Sequence, residues 1–112
     1  MWIFTTCGFF SIVQKPNTTH LTVRSRARLD LDHLRTQYLP ELSATVANAG
    51  TDYPYRATVS HEAFAKALSR IARDIDYGNF KDEVAARMGH ERASVYGRIW
   101  SALLDLEQED AT

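Results

Sequence analysis

Residues Leu21-Thr22-Val23-Arg24-Ser25-Arg26 alternate without a break, with Leu21, Val23 and Ser25 on one side and Thr22, Arg24 and Arg26 on the other. Successive side chains of an extended strand point to opposite faces, so this stretch predicts a strand with one buried face and one wet face. A sheet wet on one side is expected to be antiparallel, because the crossovers of a parallel sheet cover both of its faces. Upstream, Trp2 to Thr6 is rich in strand formers, Cys7-Gly8 signals a turn, and Phe9 to Lys15 resumes the strand pattern. That predicts a β-hairpin. Pro16-Asn17-Thr18-Thr19 predicts a second turn, so the first three strands form an antiparallel meander.

Downstream, Leu31, Leu34 and Tyr38 fall on the inward side of a short helix, with Asp30 or Asp32 as its cap and Pro40 limiting its run. Residues 43 to 54 are small and turn-prone and predict a loop. Tyr55 to Val59 repeats the strand alternation, with Tyr55, Ala57 and Val59 on one side and Arg56 and Thr58 on the other. Everything after residue 60 reads as helical. Ser60 caps a helix to Ile75 whose apolar face carries Phe64, Leu68, Ile71, Ala72 and Ile75. The joint Asp76-Tyr77-Gly78-Asn79-Phe80-Lys81-Asp82 turns the chain into a second helix, capped by Asn79 and stopped at Gly89. A last helix from about Glu91 to Leu106 presents Tyr96, Ile99, Trp100, Leu103 and Leu104 as a stripe expected to pack in the core. The order β-β-β-α-β-α-α-α gives an α+β fold, a four-stranded antiparallel sheet with helices over one face.

A chain of 112 residues, 45% hydrophobic and 11% aromatic, is expected to be a single α+β domain over 1–112. Its core needs no metal or disulfide, and its acidic C-terminal tail, about residues 107–112, is expected to be solvated and frayed. The single cysteine, Cys7, forms no internal bridge and reads as a strand or turn residue, which suits a reducing cytoplasm. No run has the length of a membrane span, and the N-terminus lacks a basic region and cleavage site, so neither membrane insertion nor export is expected. The net charge of −1 creates no global pull on polyanions, but Lys15, Arg24, Arg26, Arg28 and Arg35 face only Asp30 and Asp32 in their stretch.

Arg24 and Arg26 share a strand face, Arg56 lies on another strand, and Lys15 lies at a strand end. Arginine grips phosphate or carboxylate with two parallel hydrogen bonds, so these residues are the candidate anion site. Against this, charged side chains are the ordinary covering of a solvated sheet face. Asn79 and Lys81 join the candidates because helix N-termini favour anions, although Asn79 reads first as a cap. Tyr55 and Tyr77 are candidate aromatic support, and Trp2, Phe4 and Phe9 add stacking surface of the kind single-strand nucleic-acid binders use. No catalytic residue, metal site or cofactor is assigned. His20, His33, His61 and His90 are scattered without ligand spacing, and no phosphate loop, dinucleotide fingerprint or nucleophile elbow occurs.

The segments Gly8-Phe9-Phe10-Ser11-Ile12-Val13-Gln14-Lys15, Val23-Arg24-Ser25-Arg26, Asp52-Tyr53-Pro54-Tyr55-Arg56 and Asp76-Tyr77-Gly78-Asn79-Phe80-Lys81-Asp82, with Tyr96 to Trp100, resemble those of a group of short, uncharacterised bacterial proteins. The resemblance spans nearly the whole chain. It implies that Lys15, Arg24, Arg26, Arg56, Asn79 and Lys81 belong to one shared feature. It implies no activity.

Three function classes follow. The first is a non-enzymatic cytoplasmic binding or regulatory module holding an anionic partner: a nucleic acid, a phosphorylated ligand or an acidic protein surface. The second is a protein–protein inhibitor or adaptor of the mobile-element type, contacting its target through an edge strand or the last helix. The third is a small phosphoesterase or nucleic-acid-processing enzyme, assisted by Lys81 or Tyr77. Salt separates the first and third from the second, since phosphate contacts weaken steeply as salt rises.

Overall fold

The computed structural model describes residues 1–48, 50 and 52–111. Four strands form one antiparallel sheet in the order β1-β2-β3-β4. They are β1 Trp2–Thr5, β2 Gly8–Val13, β3 Leu21–Ser25 and β4 Tyr55–Val59. Register carries Leu21, Val23 and Ser25 to the core side as predicted, but Thr22 on the side expected to be wet is buried as well and Arg24 is half-buried. Val23 pairs with Ile12 on one side and Ala57 on the other, and all three are buried. Helix α1, Arg28–Gln37, lies against β2, β3 and β4 and adds Leu31 and Leu34 to the same buried cluster. Helix α2, His61–Arg73, adds Ala63, Phe64 and Ala67. Full burial of side chains such as Phe10 and Leu31 contributes about 2 kcal/mol each, which makes this layer the main driving force of the fold.

Helix α3, Phe80–Met88, begins at Asn79, whose side chain accepts the Asp82 N–H at 2.9 Å. Ser60 caps α2 in the same way, accepting from Ala63 at 3.1 Å. Gly89 separates α3 from α4, His90–Leu103, at φ 98°, a left-handed value that glycine adopts without strain. Helix α5, Asp105–Ala111, follows after Leu104. The chain divides into two compact units, Met1–Asp76 and Tyr77–Thr112, and the division falls inside the predicted joint. The buried residues of the second unit are Val84, Ala93 and Tyr96, with Phe80 stacked on Tyr96 at 5.8 Å and 7°.

Four details differ from the sequence reading. Helix α1 starts at Arg28 behind Ala27, which offers no side-chain cap. Asp30 is instead buried and accepts the Phe9 N–H at 3.0 Å, while Asp32 pairs with Arg35 at 3.3 Å. Helix α2 ends at Arg73, so Ile75 leaves the helix and is exposed, and Ala72 is exposed as well. The small Ala63 and Ala67 take the buried positions beside Phe64. On α4 the expected core stripe is buried only at Tyr96; Ile99 is half-buried, and Trp100, Leu103 and Leu104 are exposed. The last helix, expected to run to about Leu106, ends at Leu103, and a separate helix covers Asp105–Ala111.

The stretch read as a loop does structural work along one sheet edge. Ser43 N–H donates to Thr58 O at 2.9 Å, and Val46 and Arg56 exchange backbone hydrogen bonds of 2.8 and 3.1 Å. Arg35 anchors this strap by donating to Leu42 O, Ser43 O and Thr45 Oγ1. The outer side of β4 is thereby paired, which removes it as a template for strand addition. Ala49 and Thr51, also in the predicted loop, lie outside the described residues. No helix among the described residues is long and apolar enough to cross a membrane.

Candidate anion-binding face

The arginine side of the sheet is built by register. Trp2 pairs with Ser11, Ser11 with Arg24 and Arg24 with Arg56. These four residues form a straight row across all four strands. Directly opposed residues in an antiparallel pair hold their Cβ atoms about 5 Å apart, so Arg24 and Arg56 leave the sheet side by side. Because β3 and β4 are adjacent and antiparallel, the two arginines read from separate segments fall into one place.

Arg24 Nη2 donates to Ser11 Oγ at 2.6 Å, and Ser11 is buried beneath it. The Arg24 guanidinium carbon lies 4.7 Å from the Tyr53 ring centroid, and that of Arg26 lies 5.0 Å from the same ring. Arg26 also donates to the backbone carbonyl of Asp52 at 3.1 Å. One phenol ring thus gathers two cations through attraction to its negative π-face. Among the described residues neither Arg24 nor Arg26 pairs with a carboxylate, whereas Arg35, Lys66 and Arg87 do. Arg24 Nε is buried without a hydrogen-bond partner. Planar guanidinium groups held on an aromatic ring, with donors left over, are suited to receive phosphate or carboxylate oxygens.

The remaining candidates lie elsewhere. Lys15 follows the end of β2 in the turn before β3, where its carbonyl accepts from Thr18. It is at the far end of the strand from Arg26. Tyr55 sits on the core side of β4 and packs against the buried cluster, with Arg28 over its ring at 5.9 Å. Asn79, Lys81 and Tyr77 belong to the second unit. Asn79 serves as the α3 cap, Tyr77 meets Phe80 at 6.2 Å, and the exposed Lys81 runs along α4, its Nζ 3.6 Å from a Cβ built on Gly97.

Two contributors were not singled out from sequence. Ser11 reads in the sequence only as a strand residue, yet its hydroxyl accepts from Arg24 and orients it. Tyr53 has the same parity as Tyr55, which would send it to the core side. Pro54 intervenes, and Tyr53 precedes β4 rather than continuing it, so parity does not apply. A tyrosine next to the proline ahead of an arginine-bearing strand was the available signal.

On the same side, beside Ser11, Phe4 and Phe9 pair across β1 and β2 with rings stacked at 4.6 Å and 25°. Trp2 meets Phe9 edge-on at 6.1 Å and 82° and is 68% exposed. No group of three His, Cys, Asp or Glu side chains among the described residues is placed to hold a metal ion. Comparison with protein-family models, curated proteins and solved structures finds no match to this chain.

Proposed function

We propose that this chain is a cytoplasmic binding or regulatory module that holds an anionic partner on the arginine side of its sheet. The observation that carries the reading is the juxtaposition of Arg24 with Arg56 in register, with Arg26 drawn to the same spot through Tyr53. Like charges gathered on one face repel, and the convergence of Arg24 and Arg26 on the Tyr53 ring is relieved when an anion lies over them. The absence of carboxylate partners for Arg24 and Arg26 among the described residues supports an external anion as that counter-charge. The cytoplasmic assignment is supported by the chain's single cysteine, Cys7, whose side chain is buried and forms no internal bridge.

Titration with inorganic polyphosphate tests the reading. The native chain should bind it with an affinity that falls as salt rises. The double variant Arg24→Ala/Arg26→Ala should bind about tenfold more weakly or worse, the size of loss expected when charge-assisted hydrogen bonds are removed. An unchanged affinity in the double variant removes this face from consideration.

A second reading, a protein-binding adaptor, is favoured by a separate observation: Trp100 and Leu103 on α4, Leu104 between the helices and Leu106 on α5 are all exposed. Association that persists at high salt and is lost in Trp100→Asp would support it over the first.

A further inference from the structure

We infer that the anionic partner is single-stranded nucleic acid, with phosphates on Arg24 and Arg56 and a base stacked on Trp2. This rests on the anion-binding reading and adds the class of ligand. The row Trp2, Ser11, Arg24, Arg56 carries an exposed aromatic ring at one end and two guanidinium groups at the other. Neighbouring strands lie about 4.8 Å apart, so Trp2 and Arg24 are separated by about 10 Å and Trp2 and Arg56 by about 14 Å. The short Ser11 side chain between them is buried and engaged by Arg24, so nothing tall rises from the middle of the row.

The aromatic end decides the class. A polyphosphate or an acidic peptide would use the arginines and have no use for a tryptophan. An indole 68% exposed on a sheet face leaves its ring available for a flat ligand to stack on. Its edge-on contact with Phe9, itself stacked on Phe4, gives Trp2 a fixed bed. Bases of a single strand offer free π-faces to such a ring, whereas duplex bases are stacked on one another. Stacking tolerates any base, so the site is expected to be sequence-tolerant, with Tyr53 holding Arg24 and Arg26 in place rather than stacking a base itself.

The test uses the full chain and labelled uridine and deoxythymidine oligomers of about 10 nucleotides, within the usual span of single-strand sites. A duplex of the same length, polyglutamate and inorganic polyphosphate serve as competitors, and binding is read by fluorescence anisotropy. Both oligomers should bind more tightly than the duplex or polyglutamate; a preference between them tells RNA from DNA. The affinity should fall with salt at a logarithmic slope of about −1.4, as for two single-strand phosphate contacts. Trp2→Ala should weaken oligomer binding about tenfold or more while leaving polyphosphate binding unchanged. Trp2→Phe, which keeps a ring, should retain most of the affinity. If Trp2→Ala leaves oligomer binding untouched while Arg24→Ala still weakens polyphosphate binding, the ligand class is wrong and the anion site stands. Tighter binding of the duplex or of polyglutamate likewise overturns the ligand class. If Arg24→Ala weakens neither ligand, both readings fall together.

Discussion

Asp30 is a carboxylate only 3% exposed, held beneath the first hairpin by the Phe9 N–H it accepts at 3.0 Å. The hairpin fits over it because residue 8 is glycine: a Cβ there would stand 2.6 Å from both Asp30 Cβ and Cγ. Thr5 completes the turn, its hydroxyl accepting from the Cys7 and Gly8 N–H groups and donating to Gly8 O. Gly8→Ala should therefore destabilise the chain by about 1–3 kcal/mol through overpacking, read as a lower denaturation midpoint. Asp30→Ala should cost about 1–3 kcal/mol because it orphans a backbone donor, with Asp30→Asn costing less because an acceptor remains. At Gly97 the opposite outcome is expected. A Cβ there meets only Lys81 at an ordinary 3.6 Å, so Gly97→Ala should stabilise by about 0.5–1 kcal/mol through helix propensity. Equal effects at Gly8 and Gly97 would show that the contact with Asp30 is not what requires glycine.

At the scale of elements, α4 separates what a periodic pattern can and cannot say. Spacing of three and four residues puts Tyr96, Trp100 and Leu103 on neighbouring turns of one helix, and they are there. It does not say what covers them. Tyr96 is buried with Phe80 against it, whereas Trp100 is 66% exposed. Trp100→Ala should therefore change unfolding free energy by no more than about 0.5 kcal/mol. Tyr96→Ala should cost about 3–5 kcal/mol, as for a buried aromatic. A large loss at Trp100 in equilibrium denaturation would mean its surface is covered in solution. The same distinction sorts the rest of the fold. Strand faces at Leu21–Ser25 and Tyr55–Val59 were legible because period-two alternation is local, and the Ser60 and Asn79 caps because a cap acts within one turn. The partner of Asp30 is 21 residues away, and Tyr53 reaches Arg24 from outside any strand, so no local rule points to either. The pairing of Arg24 with Arg56 lay between the two cases. Parity gave the face of each, and only strand order could make them neighbours.

For the molecule as a whole, the buried cluster that includes Phe10, Val23, Leu31, Leu34 and Phe64 lies entirely within Met1–Asp76. So do all four strands, the strap along β4, and every member of the Trp2–Ser11–Arg24–Arg56 row. A unit of this length with a sheet covered by two helices buries enough apolar surface to fold alone, whereas chains below about 40 residues usually do not. The 1–76 fragment should unfold in one cooperative transition and bind polyphosphate with the dependence on Arg24 that the full chain has. Circular dichroism on heating, followed by titration of the native fragment and its Arg24→Ala variant, checks both points. A fragment that folds but binds no anion would overturn the assignment of binding to the sheet unit. A fragment that does not fold would mean that the cluster around Phe10 is insufficient without the helical unit. Retention of both properties would make the sheet unit the binding element and leave α3 to α5, with the exposed Trp100 surface, free for a separate role.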